Sequence, residues 1–329
     1  MIQKTGSIHV YFQRNKGRLA GVILCSILAG MGETMWAFVF QKIGELPGDM
    51  TKAAVLRLAG ILLFTVFYYA VSQNACAYFR RTFLKRINIQ LKRDVFDAVL
   101  DQDMIQFTSN NSGTYLSVLN NDVTNLENNY FAKIPEIIQQ SFIFLGCLAV
   151  LFCYDGRVAG MVLLTVWIPV AVPFLFGKRI SEAEGRFYRS LERYTGKLKD
   201  FFGGFEVIQS FQIEKETEAI FGSCVKDVEE SRYHARFCES SSEVFALSLT
   251  YGTLFFQILF CAWMAVKGNI PANAMLSILY LLSSIHNPVQ NAVQAILSVK
   301  AARPNVEKVE KLWQNLKREP IRLLTGSEE

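Results

Sequence analysis

The chain has 329 residues, 51% apolar, 13% aromatic and 19% charged, with a mean hydropathy of +0.22, which is too apolar for an ordinary soluble domain. Its 34 Lys and Arg against 29 Asp and Glu leave a net charge of +5 with no concentrated basic stretch, so composition argues against a nucleic-acid partner. Long aromatic and branched apolar runs exclude low-complexity, collagenous and disordered classes. An integral membrane protein is left.

In chain order, Ile8, Val10, Tyr11 and Phe12 mix with Gln13, Arg14 and Lys16, so residues 1–18 read as an N-terminal interfacial segment with a short helix on the cytosolic leaflet. A frayed terminus is the alternative. Six runs then approach or exceed the ~20 residues that a spanning helix needs: Leu19 to Gln41, Leu58 to Phe79, Ile137 to Tyr154, Val158 to Gly177, Val244 to Val266 and Ile270 to Val299. The first is 23 residues long, well beyond the apolar core of a signal peptide, and reads as a retained span. The seven cysteines form no CxxC pair and five lie inside apolar runs. They read as small buried hydrophobes, not as a disulfide or metal framework.

The connections fall into two classes. Those after runs one, three and five have 16, 3 and 3 residues, whereas those after runs two and four have 57 and 66. The termini and the two long connections together hold 29 of the 34 basic residues, which places them in the cytosol by the positive-inside rule. Both long connections carry helical periodicity. Phe79, Phe83, Ile87, Leu91 and Val95 recur every four residues; Leu119, Val123, Leu126, Tyr130 and Ile134 lead into run three; Phe187, Leu191, Tyr194, Leu198 and Phe201 leave run four. Each connection therefore predicts a helical hairpin, turning at Ser109 to Gly113 in the first and at Gly203-Gly204 in the second. An arm of about 20 helical residues projects roughly 30 Å from the membrane.

The expected fold class is an all-α membrane protein with six transmembrane helices, extended into the cytosol as two long hairpins with short turns. This layout resembles the transmembrane domain of ATP-binding cassette (ABC) exporters, the type I exporter fold. Three stretches sharpen the resemblance. The run from Phe107 through Gly113, Leu116 and Leu119 to Asp122-Val123 looks like the family's first intracellular hairpin. Gly204 to Phe211 with Glu214 is similar to the Gly, Val, Phe and Glu pattern of the second. Asn287-Pro288-Val289-Gln290 in run six is followed by a helix from Lys300 to Leu312. The resemblance implies a six-helix domain over 19–312 and, over 313–329, a linker toward an ATPase domain. It further implies coupling to that domain through Phe107, Gly113, Leu116, Asp122, Gly203, Gly204, Val207, Phe211 and Glu214, and alternating access driven from there.

Two features depart from the family. Pro304 interrupts the helix after run six, where an interior proline costs about 3 kcal/mol, so that helix is expected to kink or restart. The phosphate loop G-x-x-x-x-G-K-[ST] is absent, because neither Gly177-Lys178 nor Gly196-Lys197 completes it. On this chain no ATPase activity and no bound cofactor are expected. ATP and Mg belong to a nucleotide-binding domain that is either continuous with the gene product, the favoured expectation, or a separate subunit. The other expected partners are a second transmembrane half, as homodimer or heterodimer, and the lipid bilayer. The expected location is a bacterial plasma membrane with both termini cytosolic. An ATP-independent carrier or channel is the alternative, disfavoured because it has no need of long arms.

Glu33 is the only formal charge in the six runs. A charge facing lipid there costs several kcal/mol, so it must meet a water-filled cavity or a neighbouring helix. Trp36 lies three residues along on the same face. In run six, His286, Gln290 and Gln294 follow i, i+4, i+8 spacing with Asn287 and Asn291 on the adjoining row, predicting a broad amide-rich face that lines a pathway, with hydrogen bonding between helices as the alternative. Gln73, Asn74 and Gln257 are weaker pathway candidates whose default role is hydrogen bonding between helices. No metal or catalytic constellation is visible around His9, His234 and His286.

Overall fold

A computed structural model describes residues 7–46, 51–102, 104, 115 and 118–315. The described residues form helices and turns: α1 (Val10–Arg14), α2 (Lys16–Gly44), α3 (Lys52–Leu100), α4 (Val123–Leu126), α5 (Lys133–Tyr154), α6 (Gly156–Thr165), α7 (Trp167–Val170), α8 (Val172–Gly203), α9 (Phe205–Phe211), α10 (Glu214–Val266), α11 (Met275–Ala301) and α12 (Arg303–Asn315). Two π turns, Val118–Asp122 and Glu127–Phe131, flank α4.

Five helical stretches are long and apolar enough to cross a bilayer: Lys16–Gly44, Lys52–Leu100, Val118–Tyr154, Gly156–Gly203 and Glu214–Val266. The sixth predicted run forms α11, which is long enough at 27 residues but stands outside these five because its second half is rich in amides. In α3 only 6% of the most apolar window is buried, so lipid or another chain must cover the rest. The protein is an integral membrane protein of all-α class. With 49 residues in α3 and 53 in α10, each is about 75 Å long at 1.5 Å per residue, more than twice the ~30 Å hydrocarbon core.

The chain divides into two compact units, residues 1–160 with 258–329, and residues 161–257. In the first, α2 is central and packs against α3, α5 and α11. Small residues permit the close approach. A Cβ on Gly30 would stand 3.2 Å from the Phe142 carbonyl oxygen on α5, and one on Gly44 would collide with the Asn273 carbonyl oxygen at 2.2 Å. Thr51 starts α3 as an N-cap, its hydroxyl accepting the Ala54 N–H at 3.3 Å.

Below these spans a second apolar cluster joins α1, α3, the π turns, α4 and α12, with Phe83, Ile87, Leu91, Val95, Val123, Leu126 and Phe131 at its centre. The four-residue periodicity along α3 is thus a core face. Leading into α5, two wider π turns replace continuous α-helix and still deliver Val118, Val123, Leu126, Tyr130 and Phe131 to that core. Residues 8–15 of the N-terminal segment pack against the protein. Ile8 and Tyr11 are buried, and Phe12 packs within 5.7–6.5 Å of the Phe83, Tyr130 and Phe131 rings. Polar ties hold it: Tyr11 donates to Asp94 at 2.8 Å, Asn15 to Gln90 at 2.8 Å, and the Ile8 N–H to Glu310 of α12 at 2.9 Å. Burial and the Asp94 carboxylate together push the Tyr11 phenol pKa far upward, so it stays a donor. As expected from Pro304, the helix breaks after Ala301 and restarts at Arg303. Lys308 of α12 ion-pairs with Asp122.

In the second unit α8 and α10 run antiparallel. Successive pairs show it: Phe176 with Phe245 at 5.6 Å, the Phe187 ring with the Arg232 guanidinium at 5.4 Å, and Tyr194 with Phe221 at 5.9 Å. The fourth predicted span is not one unbroken helix. It is interrupted at Val166 and Ala171, because Pro169 and Pro173 lack the N–H groups that would bond to Thr165 and Pro169.

Candidate functional site

Glu33 lies on α2 in the first unit and is half-buried. Tyr69 of α3 lies beside its carboxylate. Trp36, one turn along α2, meets Tyr69 edge-on at 6.5 Å. Phe40, one further turn on, stacks on Tyr280 of α11 at 5.0 Å and 27°, and the Tyr280 hydroxyl donates to the Glu33 backbone carbonyl at 3.5 Å. Three helices thus bring two aromatic pairs to the face of α2 that carries Glu33. No ion pair engages Glu33 among the described residues, and the six apolar runs contain no Lys or Arg. No group of three His, Cys, Asp or Glu side chains that could hold a metal occurs among the described residues.

Along α11 the polar side chains separate by face. Ser283, Asn287, Asn291 and Gln294 are exposed, with Ser284 and Gln290 half-buried beside them, so an open amide and hydroxyl stripe begins one turn from Tyr280. His286 is not part of it. At 3% exposure it turns into the protein, because the i, i+4 row through His286 and the row through Asn287 differ by about 100° around the helix. α11 continues through Pro288.

Of the three weaker candidates, Gln73 and Gln257 bond between helices and Asn74 does not. Gln139 of α5 donates to Gln73 at 3.2 Å, tying α5 to α3. Asn74 is exposed and donates back to the Ala70 carbonyl of its own helix at 2.8 Å. Gln257, fully buried, donates to Thr165 at 2.7 Å, joining α10 to α6 in the second unit. Sequence reasoning missed Tyr69, Phe40, Tyr280 and Ser284. Only Phe40 left a legible signal, seven residues after Glu33 and so on its face of α2.

Among the coupling residues, Phe107, Gly113 and Leu116 lie outside the described residues, and Asp122 makes the ion pair with Lys308. The others surround α9. Gly203 ends α8 and Gly204 follows it with φ −101° and ψ 17°, a conformation open to any residue. The chain leaves α8 there and enters α9. It runs through α9 and turns at Gln212, which has φ 53° and ψ 43°, before Glu214 opens α10 with acid in the first turn, where the helix dipole favours it. Phe202, Phe205, Val207 and Phe211 are 55–74% exposed, so this short helix and its approach carry an apolar surface uncovered by the chain.

These features define a helical membrane domain with a polar track inside its spans and an apolar contact surface outside them. Residues 19–289 match the ABC transporter transmembrane region, and the chain belongs to that family. It is similar to the ATP-dependent lipid A-core flippase of Syntrophus aciditrophicus, 20% identical over 289 residues, covering 83% of this chain and 46% of that protein. The fatty acid ABC transporter ATP-binding/permease protein of Mycobacterium bovis is 23% identical over 207 residues, 63% of this chain and 33% of that protein. A putative export ATP-binding/permease protein of Rickettsia felis is 20% identical over 251 residues, 69% and 42%. The chain spans less than half the length of these relatives.

Proposed function

We propose that the chain is the permease domain of an ATP-driven exporter, with six spans in which α11 is the sixth, and that it moves its substrate by alternating access. Both termini and the long helical arms are cytosolic, in keeping with 29 of 34 basic residues on those segments. A nucleotide-binding domain and a second transmembrane half complete the assembly, the first in keeping with relatives named as ATP-binding/permease proteins. Glu33, Trp36 and the exposed face of α11 line the pathway.

The observation that carries this reading is α9. A seven-residue helix with exposed Phe205, Val207 and Phe211, set between helices of 32 and 53 residues, is suited to transmit a push from a partner as a rigid-body shift. An ATP-independent carrier has no use for it. In the full transporter, replacing Phe205 and Phe211 by Ser is expected to lower ATP-driven transport roughly 5- to 150-fold, the usual range of coupling between sites, with helical content unchanged. Unaltered transport and ATP hydrolysis in the folded double variant would contradict the assignment.

A further inference from the structure

We propose that Glu33, with Trp36, Phe40, Tyr69 and Tyr280, forms a binding site for a monovalent organic cation of the substituted-ammonium type. An ionised carboxylate offers about four acceptor positions. Tyr69 lies beside it, and among the described residues no ion pair balances the charge. A Glu kept only to pack α2 against α3 is a costly choice, since a Gln there would fill the same space without a charge inside the membrane. The charge is used if its counter-ion arrives with the ligand.

The surrounding rings say which cation. Trp36 with Tyr69, and Phe40 with Tyr280, form two aromatic pairs along the carboxylate's own face of α2, and a cation within ~6 Å of a ring centroid is attracted by the ring face. A divalent metal requires several oxygen ligands, and a single carboxylate with phenols does not supply them. A small, strongly hydrated ammonium would lose its water to apolar rings, whereas an alkylated or arylated cation brings apolar surface that they bury. The hydroxyl and amide stripe from Ser283 to Gln294 gives a polar exit. The proposal depends on the transport reading only for the fate of the bound cation, because binding itself needs no ATP.

The test is equilibrium binding of radiolabelled tetraphenylphosphonium to the chain in lipid nanodiscs, with empty discs subtracted. Tetraphenylborate, of the same shape and opposite charge, is measured separately. The expected result is saturable phosphonium binding, competed by tetraethylammonium, with no saturable borate binding. Glu33→Gln should weaken phosphonium affinity at least about tenfold, Glu33→Asp should retain most of it, and Tyr280→Leu should weaken it severalfold. Absence of saturable binding, equal affinity in Glu33→Gln, or borate binding as well as phosphonium would overturn the proposal. If Glu33→Gln does not fold, Tyr280→Leu decides, and unchanged affinity there also overturns it. Failure here with normal ATP-driven transport would refute the cation site alone; binding without ATP-driven transport would refute the exporter reading alone.

Discussion

Asp155 is the single residue between α5 and α6, in an extended conformation with φ −161° and ψ 122°. Its carboxylate accepts the Arg157 backbone N–H at 2.7 Å and pairs with the Arg157 guanidinium at 3.0 Å, so it caps α6 and anchors the loop. The Arg157 side chain, with its N–H, holds the Asp155 carboxyl below the usual carboxylate range. A depressed folded pKa means that this stability is complete above the unfolded value of about 3.9 and is lost as pH falls through the folded one. Asp155→Ala is expected to cost about 1 kcal/mol at neutral pH and to flatten the acid limb of the melting curve in detergent between about pH 5 and 2. An acid limb identical to that of the unmodified chain would show that the cap is idle. Asp155 shows no period in the sequence, whereas Glu33 stood out as the one charge in six apolar runs. Its partners were hidden for the opposite reason: Tyr69 and Tyr280 are two of twelve tyrosines, and one phenol in a span reads like another until helix packing decides which ring faces the acid.

At the scale of elements, most helices were legible because apolar periodicity extends from the spans into the arms. The interruptions were not. The Gly203-Gly204 pair looked like the reversal between α8 and α10, yet Gly204 keeps an ordinary negative φ and the one non-glycine residue with positive φ among the described residues is Gln212. Left-handed backbone costs a side-chain-bearing residue about 1–2 kcal/mol, and here it falls on an exposed glutamine and not on either glycine. Gln212→Val is therefore expected to destabilise the α9–α10 junction by about 1–2 kcal/mol, read as faster amide exchange over residues 205–213, while Gln212→Gly leaves exchange equal or slower. Equal exchange in Gln212→Val would place the reversal elsewhere. The N-terminal segment shows another limit: Ile8, Tyr11 and Phe12 suggested a lipid surface, but the apolar face that covers them is assembled from α3, the second π turn and α12, residues some 70 to 300 positions away.

For the whole molecule, sequence and structure converge on a membrane domain whose long helices leave the bilayer and whose open polar track lies on α11. Composition alone separated the two faces of that helix only in part, since His286 shares the track's residue type but not its direction. The central claim is that this track opens alternately to the two sides of the membrane under control of ATP. It is tested most directly with a single cysteine at Asn287, in an otherwise cysteine-free full transporter in its native membrane, reacted with an impermeant maleimide in inside-out and right-side-out vesicles. The account predicts labelling from the cytosolic side without nucleotide and from the outer side when ATP is trapped with vanadate; accessibility indifferent to ATP, or confined to one side in both states, would contradict it.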